Sequence, residues 1–248
     1  MSIPVIIHYK DNGKDDGVDL RMTLRSFERF MPDMGELVVV GDRHDWMRNF
    51  THIPFRHPYK SNKDANIMMA IIKGAAHLAI TNGYQEDVVI AADDCILMSP
   101  YCNGLYFEEK SFQFMESFPS RLPTNAWWER PYQSVLHCMT FGWVADNCET
   151  HTPQFVSIGS IMSLLDARIG EAQLGAYTLI VNAERTLGHR EAECVKPYRV
   201  EPCKLKPDLI NDPQNRFCNW FPSAETPQFR ELLASIFPLT SRYETHGI

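Results

Sequence analysis

The stretch at residues 87–100, Asp-Val-Val-Ile-Ala-Ala-Asp-Asp-Cys-Ile-Leu-Met-Ser-Pro, limits the fold more tightly than any other. Val88, Val89 and Ile90 are β-branched and show no polar alternation, as expected of a parallel strand covered on both faces. Such a strand delivers Asp93 and Asp94 to the carboxyl edge of an α/β sheet, where ligands of this fold class bind. Two adjacent carboxylates repel unless a cation or several donors stabilise them, and a hard divalent ion such as Mg²⁺ or Mn²⁺ prefers oxygen ligands. A strand-end turn whose Asp side chains cap backbone amides is the other reading of the same spacing.

The flanking sequence extends this strand into a sheet. Residues 4–9 form an apolar strand candidate ending at Tyr9, and the Asp- and Gly-rich loop 10–17 opens at its carboxyl end. From Asp19 the period changes: Leu20, Leu24, Phe27 and Met31 share one helical face, Arg21, Arg25, Glu28 and Arg29 the other, and Pro32 stops the helix. Residues 36–41 give a second strand, ending in the polar tip Asp42-Arg43-His44-Asp45. Strand, helix, strand is the βαβ pattern of a parallel sheet. Residues 51–61 read as an extended connection. The helix over 67–80 is apolar on nearly every side and is therefore expected to be buried, and Asn82-Gly83 turns the chain into the Asp93-Asp94 strand. The frame is α/β, a Rossmann-like doubly wound, mostly parallel sheet. Neither GxGxxG nor GxxxxGK[ST] occurs, so any nucleotide phosphates are expected to be held by metal and side chains.

Composition excludes some classes. A net charge of −7 argues against a broadly basic nucleic-acid surface and leaves only a local patch. No apolar run reaches membrane-spanning length, and a strand candidate begins within a few residues of the N-terminus; the expectation is a cytoplasmic protein without a signal peptide or membrane anchor. Seven cysteines without a CxxC pair read as reduced, packed thiols.

Residues 19–27, 38–43 and 90–97 resemble the corresponding elements of GT-A glycosyltransferases, most closely the Stealth-type capsule sugar-phosphate transferases and small phage-encoded glycosyltransferases, including those that accompany TET-like hydroxylases. The likeness covers the first hundred residues well and the rest in patches. It implies a single GT-A-like domain over residues 1–248, with a nucleotide-sugar half at 1–105 and a less regular acceptor half at 106–248. The GT-A DxD motif aligns with Ala92-Asp93-Asp94, with alanine in place of the first acid. The resemblance implies that Asp94 holds Mn²⁺ or Mg²⁺, that Asp93 assists and touches the nucleotide sugar, and that Tyr9, Asp42, Arg43, Lys63 and Asn66 lie around the nucleotide. Solvated loop residues or helix caps are the alternatives for these last five.

The second half offers three further segments. Residues 107–118 are aromatic and acidic, a candidate helix beside the sheet. Trp127 and Trp128 lie between Arg121 and Arg130, and aromatic faces with guanidinium groups stack sugars or unpaired bases; packing of the two Trp in the core is the alternative. Thr152-Pro153 reads as an N-cap and first turn of a helix running to Gly170, which would place Glu149 and His151 just ahead of a helix N-terminus, either facing an anion or capping amides. Residues 176–182 read as a strand, and Thr226-Pro227 opens a terminal amphipathic helix. The resemblance implies a late metal ligand at His189 and a general base on the acceptor side, Glu149 first, Asp146 second, with His151 beside them.

The expected reaction is glycosyl transfer from a nucleotide sugar, UDP-linked, to a hydroxyl. The resemblance of residues 237–244 to the close of the phage proteins points to 5-hydroxymethylpyrimidine in phage DNA as acceptor, in the host cytoplasm. A Stealth-like sugar-phosphate transferase, a capsule or surface-glycan transferase and a non-catalytic nucleotide-sugar-binding module stand as alternatives.

Overall fold

In the computed structural model, β-branched runs become buried strands and the 3.6-residue pattern becomes helix, as the sequence predicts for the first hundred residues. The structure describes residues 2–13, 16–81, 87–108, 129–166, 174–188, 190–195, 198–200, 216–220 and 226–247. The chain is a mixed α/β protein with a mostly parallel central sheet. It forms two compact units, residues 1–54, 91–102 and 196–248 in the first and 55–90 and 103–195 in the second.

In the first unit, β1 (Ile3–Tyr9) pairs in parallel with β2 (Met34–Gly41), and β2 with β3 (Thr51–Pro54). The third strand falls in the segment read as an extended connection. Its four residues are only partly covered, so the apolar signal of a central strand is missing. Helix α1 (Val18–Phe30) connects β1 to β2 and buries Leu20, Leu24 and Phe27. Its Arg21 and Arg25, expected to face solvent, are instead buried and ion-paired with Glu244, a partner that periodicity cannot reveal.

The strand β4 (Asp87–Ala92) ends in a turn at Asp93-Asp94, and β5 (Cys95–Leu97) follows. Val88, Val89 and Ile90 are fully buried. β5 pairs antiparallel with β10 (Phe217–Trp220), which pairs in parallel with β9 (Tyr198–Val200).

In the second unit, β4 pairs antiparallel with β7 (Gln154–Ser157), and β6 (Leu105–Glu108) pairs in parallel with β8 (Ala192–Val195). Helix α2 (Lys63–Thr81), expected to be buried, buries nine of its 19 residues and leaves Ile80 83% exposed. Helices α3 (Glu129–Thr140), α4 (Ile158–Met162) and α5 (Ala176–Leu187) complete the unit. The terminal helix α6 (Pro227–Ile236), in the first unit, is capped as expected: Phe229 N donates to Thr226 Oγ1 at 3.2 Å.

Three sequence expectations for the second half change. The helix expected from Pro153 starts only at Ile158, after β7, and its N-cap is Ser157, whose Oγ accepts from Ser160 N at 3.2 Å. The Thr152 hydroxyl is occupied elsewhere, sharing a 2.7 Å hydrogen bond with Thr150 Oγ1 and accepting from Gln154 Nε2 at 2.9 Å. Residues 176–182, read as a strand, lie in α5, whose residues from Thr178 to Glu184 are all buried; a short apolar run with β-branched Ile180 and Val181 does not by itself distinguish a buried helix segment from a strand. Phe107 and Glu108 belong to β6 rather than to a helix, and residues 109–118 and the Asn82-Gly83 turn lie outside the described residues. Cys138, Cys148 and Cys218 are buried thiols. Burial pushes the Cys138 thiol up to about 11 and those of Cys148 and Cys218 to about 12, which suits packed rather than reactive groups.

Candidate functional site

In the first unit, the carboxyl ends of β1 and β2 meet over a backbone contact that only glycine allows. Gly41 has φ +140°, and a Cβ there would sit 1.8 Å from Tyr9 O. The next residue closes the junction, with Asp42 N donating to Tyr9 O at 3.1 Å. The Asp42 carboxylate then accepts from Lys10 Nζ at 2.9 Å and Asp11 N at 3.0 Å, while Arg43 extends over the Phe50 ring. The Tyr9 hydroxyl shares a 2.6 Å hydrogen bond with His44 Nε2. His44 stacks on Trp46 and presents Nδ1 to Asp16 at 3.3 Å and Nε2 to Asp11 at 3.7 Å. Gly17, φ +69°, leaves room for this pair, because a Cβ would approach the His44 ring and Tyr9 Oη to 2.9 Å.

The Asp93-Asp94 turn belongs to the same unit and is held from beneath by α1. Thr23 Oγ1 donates to Asp93 O at 2.7 Å. One turn further on, Ser26 Oγ donates to Thr23 O at 2.7 Å and accepts from Leu97 N at 3.0 Å. Thr23 and Ser26 are fully buried, so these hydroxyl contacts are shielded from competing water. They fix the backbone of the turn and leave both carboxylate side chains half-buried at the strand end.

In the second unit, Arg130 in the first turn of α3 bridges two carboxylates. Its Nη1 donates to Asp64 Oδ2 at 2.6 Å and its Nη2 to Glu149 Oε1. Burial pushes the Glu149 carboxyl above the usual range; Arg130 opposes this, Asp64 adds to it, and His151 opposes it. Asp146 is held apart, its carboxylate accepting from Arg185 Nη1 at 2.7 Å and its carbonyl from Asn182 Nδ2 at 2.7 Å. His151 N donates to Glu108 Oε1 at 3.2 Å. Asn66 clamps the approach to α2, with Oδ1 accepting from Tyr59 N at 3.1 Å and Nδ2 donating to Tyr59 O at 2.7 Å, and Lys63 is exposed at the helix start. Since β7 intervenes, Glu149 and His151 do not precede a helix N-terminus, and the dipole argument for an anion there falls away.

No family model matches the sequence, and no curated protein matches it by sequence. Solved structures do match in three dimensions. The galactosyltransferase LgtC in complex with donor and acceptor sugar analogues aligns with a TM-score of 0.51 at 11% identity, over 99% of this chain and 98% of that one. An active-site mutant of LgtC aligns with a TM-score of 0.50 at 10% identity, again over 99% and 98%. The chain has a GT-A fold.

Within this GT-A fold, the first unit brings Tyr9, Asp42 and Arg43 together and also carries Asp93 and Asp94, while the second joins Arg130 to Glu149. Trp127, Trp128, Arg121 and His189 lie outside the described residues. Sequence reasoning passed over Thr23, His44 and Asp64. The first two carried no visible signal on an amphipathic helix and in a polar loop; Asp64 was visible as an acid in a helix first turn. Among the described residues no three His, Cys, Asp or Glu side chains form a metal-binding group, and no helix is long and apolar enough to cross a membrane.

Proposed function

We propose that the protein is a glycosyltransferase that moves a sugar from a nucleotide sugar, UDP-linked, to an acceptor hydroxyl. The observation that carries this reading is the whole-length likeness to LgtC, whose structure holds donor and acceptor sugar analogues, in a chain that presents adjacent carboxylates at a strand end. The donor set suits Mn²⁺ or Mg²⁺: Asp93 and Asp94 offer hard oxygen ligands, and such ions commonly take one or two carboxylates together with substrate phosphate oxygens. When bound, the ion supplies positive charge beside the departing diphosphate.

The chain's own residues divide the remaining work. Thr23 holds the Asp93 backbone, so the carboxylates stay aimed without reorganisation. Glu149 takes the proton of the acceptor hydroxyl, and its burial makes it a stronger base than a solvated carboxylate. Asp146 is the weaker candidate, being half-exposed and neutralised by Arg185. Tyr9, Asp42 and Arg43 serve the nucleotide.

The acceptor proposed first is 5-hydroxymethylpyrimidine in DNA, on the likeness of residues 237–244 to phage transferases, with a surface glycan as the competing acceptor. The net charge of −7 weighs against DNA, and Arg130 spends its charge on Asp64 and Glu149. Incubation with UDP-sugars, Mn²⁺ and either hydroxymethylated DNA, unmodified DNA or glycans, followed by mass analysis, separates the readings. UDP release with a hexose added to the modified base alone supports the DNA proposal; labelling of a glycan only rejects it; UMP release indicates a sugar-phosphate transferase. Asp94→Ala is expected to lower turnover roughly a thousandfold, the scale of several kcal/mol of lost transition-state stabilisation, while the protein stays folded.

A further inference from the structure

The first unit contains a groove of about 840 Å³ between the later turns of α1, the end of α6 and the segment that follows it. It reaches the edge of the parallel strands opposite Tyr9 and Asp42. Arg242, on its rim, donates through Nη2 to Met34 O at 3.3 Å, at the start of β2, and the length of β2 from Met34 to Gly41 is roughly 23 Å at the usual strand rise.

The lining is cationic in an acidic protein. Arg25, Arg29, Arg48 and Arg242 face Glu28 alone. Arg25 is neutralised by the buried Glu244, and Arg242 lies 3.7 Å from Glu28. Arg29 and Arg48 have no ion pair among the described residues. Arg29 is nonetheless held in place, its Nη1 donating to Ile236 O at 3.2 Å and its guanidinium 5.9 Å from the Phe237 ring centre. Ser241, also in the lining, is 2% exposed and its Oγ has no hydrogen-bond partner among the described residues. A buried hydroxyl without a partner is costly, and a ligand oxygen would satisfy it. Phe237, Pro238 and Leu239 add an apolar part to the lining, the last 82% exposed.

We propose that this groove is a binding site for a phosphate monoester with an apolar body, separate from the strand-end site. Two uncompensated guanidinium groups match a head that is close to dianionic at neutral pH, and guanidinium forks fit phosphate oxygens better than point charges do. The hydroxyl of Ser241 adds a neutral donor, and residues 237–239 take the apolar part.

Calorimetric titration of the full chain with hexyl phosphate, glycerol phosphate, inorganic phosphate and hexanoate tests this. Hexyl phosphate is expected to bind at least about tenfold more tightly than each of the others, one charge-assisted contact or a few buried methylenes being worth that factor. Arg48→Gln and Ser241→Ala should each weaken it about tenfold. The Ser241→Ala protein should also melt no earlier than the parent, since it loses only an unsatisfied hydroxyl, whereas a structural hydroxyl would lower the melting temperature. Equal binding of hexanoate or glycerol phosphate, no binding of hexyl phosphate, or unchanged affinity in both variants would overturn the assignment.

Discussion

Glu244→Ala tests the contact that ties the end of the chain to α1. The Glu244 carboxylate is fully buried and accepts from Arg25 Nε at 2.7 Å, Arg25 Nη2 at 2.8 Å, Arg21 Nη1 at 3.1 Å and Ser241 N at 3.1 Å. Removing it strands two buried guanidinium groups, and breaking a buried ion pair from one side costs about 3–5 kcal/mol. Asp16 remains as an exposed partner for Arg21 at 3.0 Å, which places the expected loss near the lower end, about 3 kcal/mol. Out of a total of roughly 5–15 kcal/mol, that is a large fraction. Urea unfolding followed by circular dichroism at pH 7 should show a lower midpoint with an unchanged slope.

Glu244→Gln keeps an acceptor for the guanidinium groups and should lose about half as much. Burial alone would raise the Glu244 carboxyl, but the hydrogen bonds from Arg25, Ser241 and Arg21 hold it below the usual carboxylate range. The pH dependence follows in sign: the stabilisation is complete above the unfolded value of roughly 4.3 and is lost as pH falls through the lower folded value. The gap between parent and Glu244→Gln should therefore close in acid. A loss below about 1 kcal/mol for Glu244→Ala, or a gap that stays constant down to pH 2, would refute the reasoning.

Gly41→Ala should destabilise the protein by more than about 2 kcal/mol, since its Cβ would collide with the Tyr9 carbonyl; a melting temperature equal to the parent's would count against that junction. Thr23→Val removes the hydroxyl that holds Asp93 and should reduce turnover at least tenfold with little change in substrate KM, read from steady-state kinetics. With Glu149 as base, kcat/KM should fall at acid pH as that carboxyl protonates. Because Asp64 helps to raise it, Asp64→Asn should move the acid limb to lower pH, and an unmoved limb would dismiss Glu149 as the base.

The parts of this protein legible in the sequence are those whose signal is local. The apolar run at Val88–Ile90 and the acids that end it, the Thr226 cap, and the alternation of helix and strand through β2 each depend on neighbours a few residues away. A family likeness added the GT-A fold, which the structural comparison bears out. Other features needed partners distant in the chain. Arg21 and Arg25 have the spacing of a solvated helical face, yet they are buried because Glu244 arrives 219 residues after Arg25. Residues 154–157 became a strand because β4 offered an edge to pair with, overriding the Thr-Pro helix signal, and residues 176–182 became helix because a short apolar run suits a buried helix segment as well as a strand until its packing partners decide. Glu149 is decided in the same way: burial raises its carboxyl, Arg130 opposes that shift and Asp64 adds to it, and both partners come from other elements of the chain. Local periodicity records which face a segment hides; only the assembled fold determines which charges meet once water is excluded, and at those positions the interaction energy depends most strongly on surroundings.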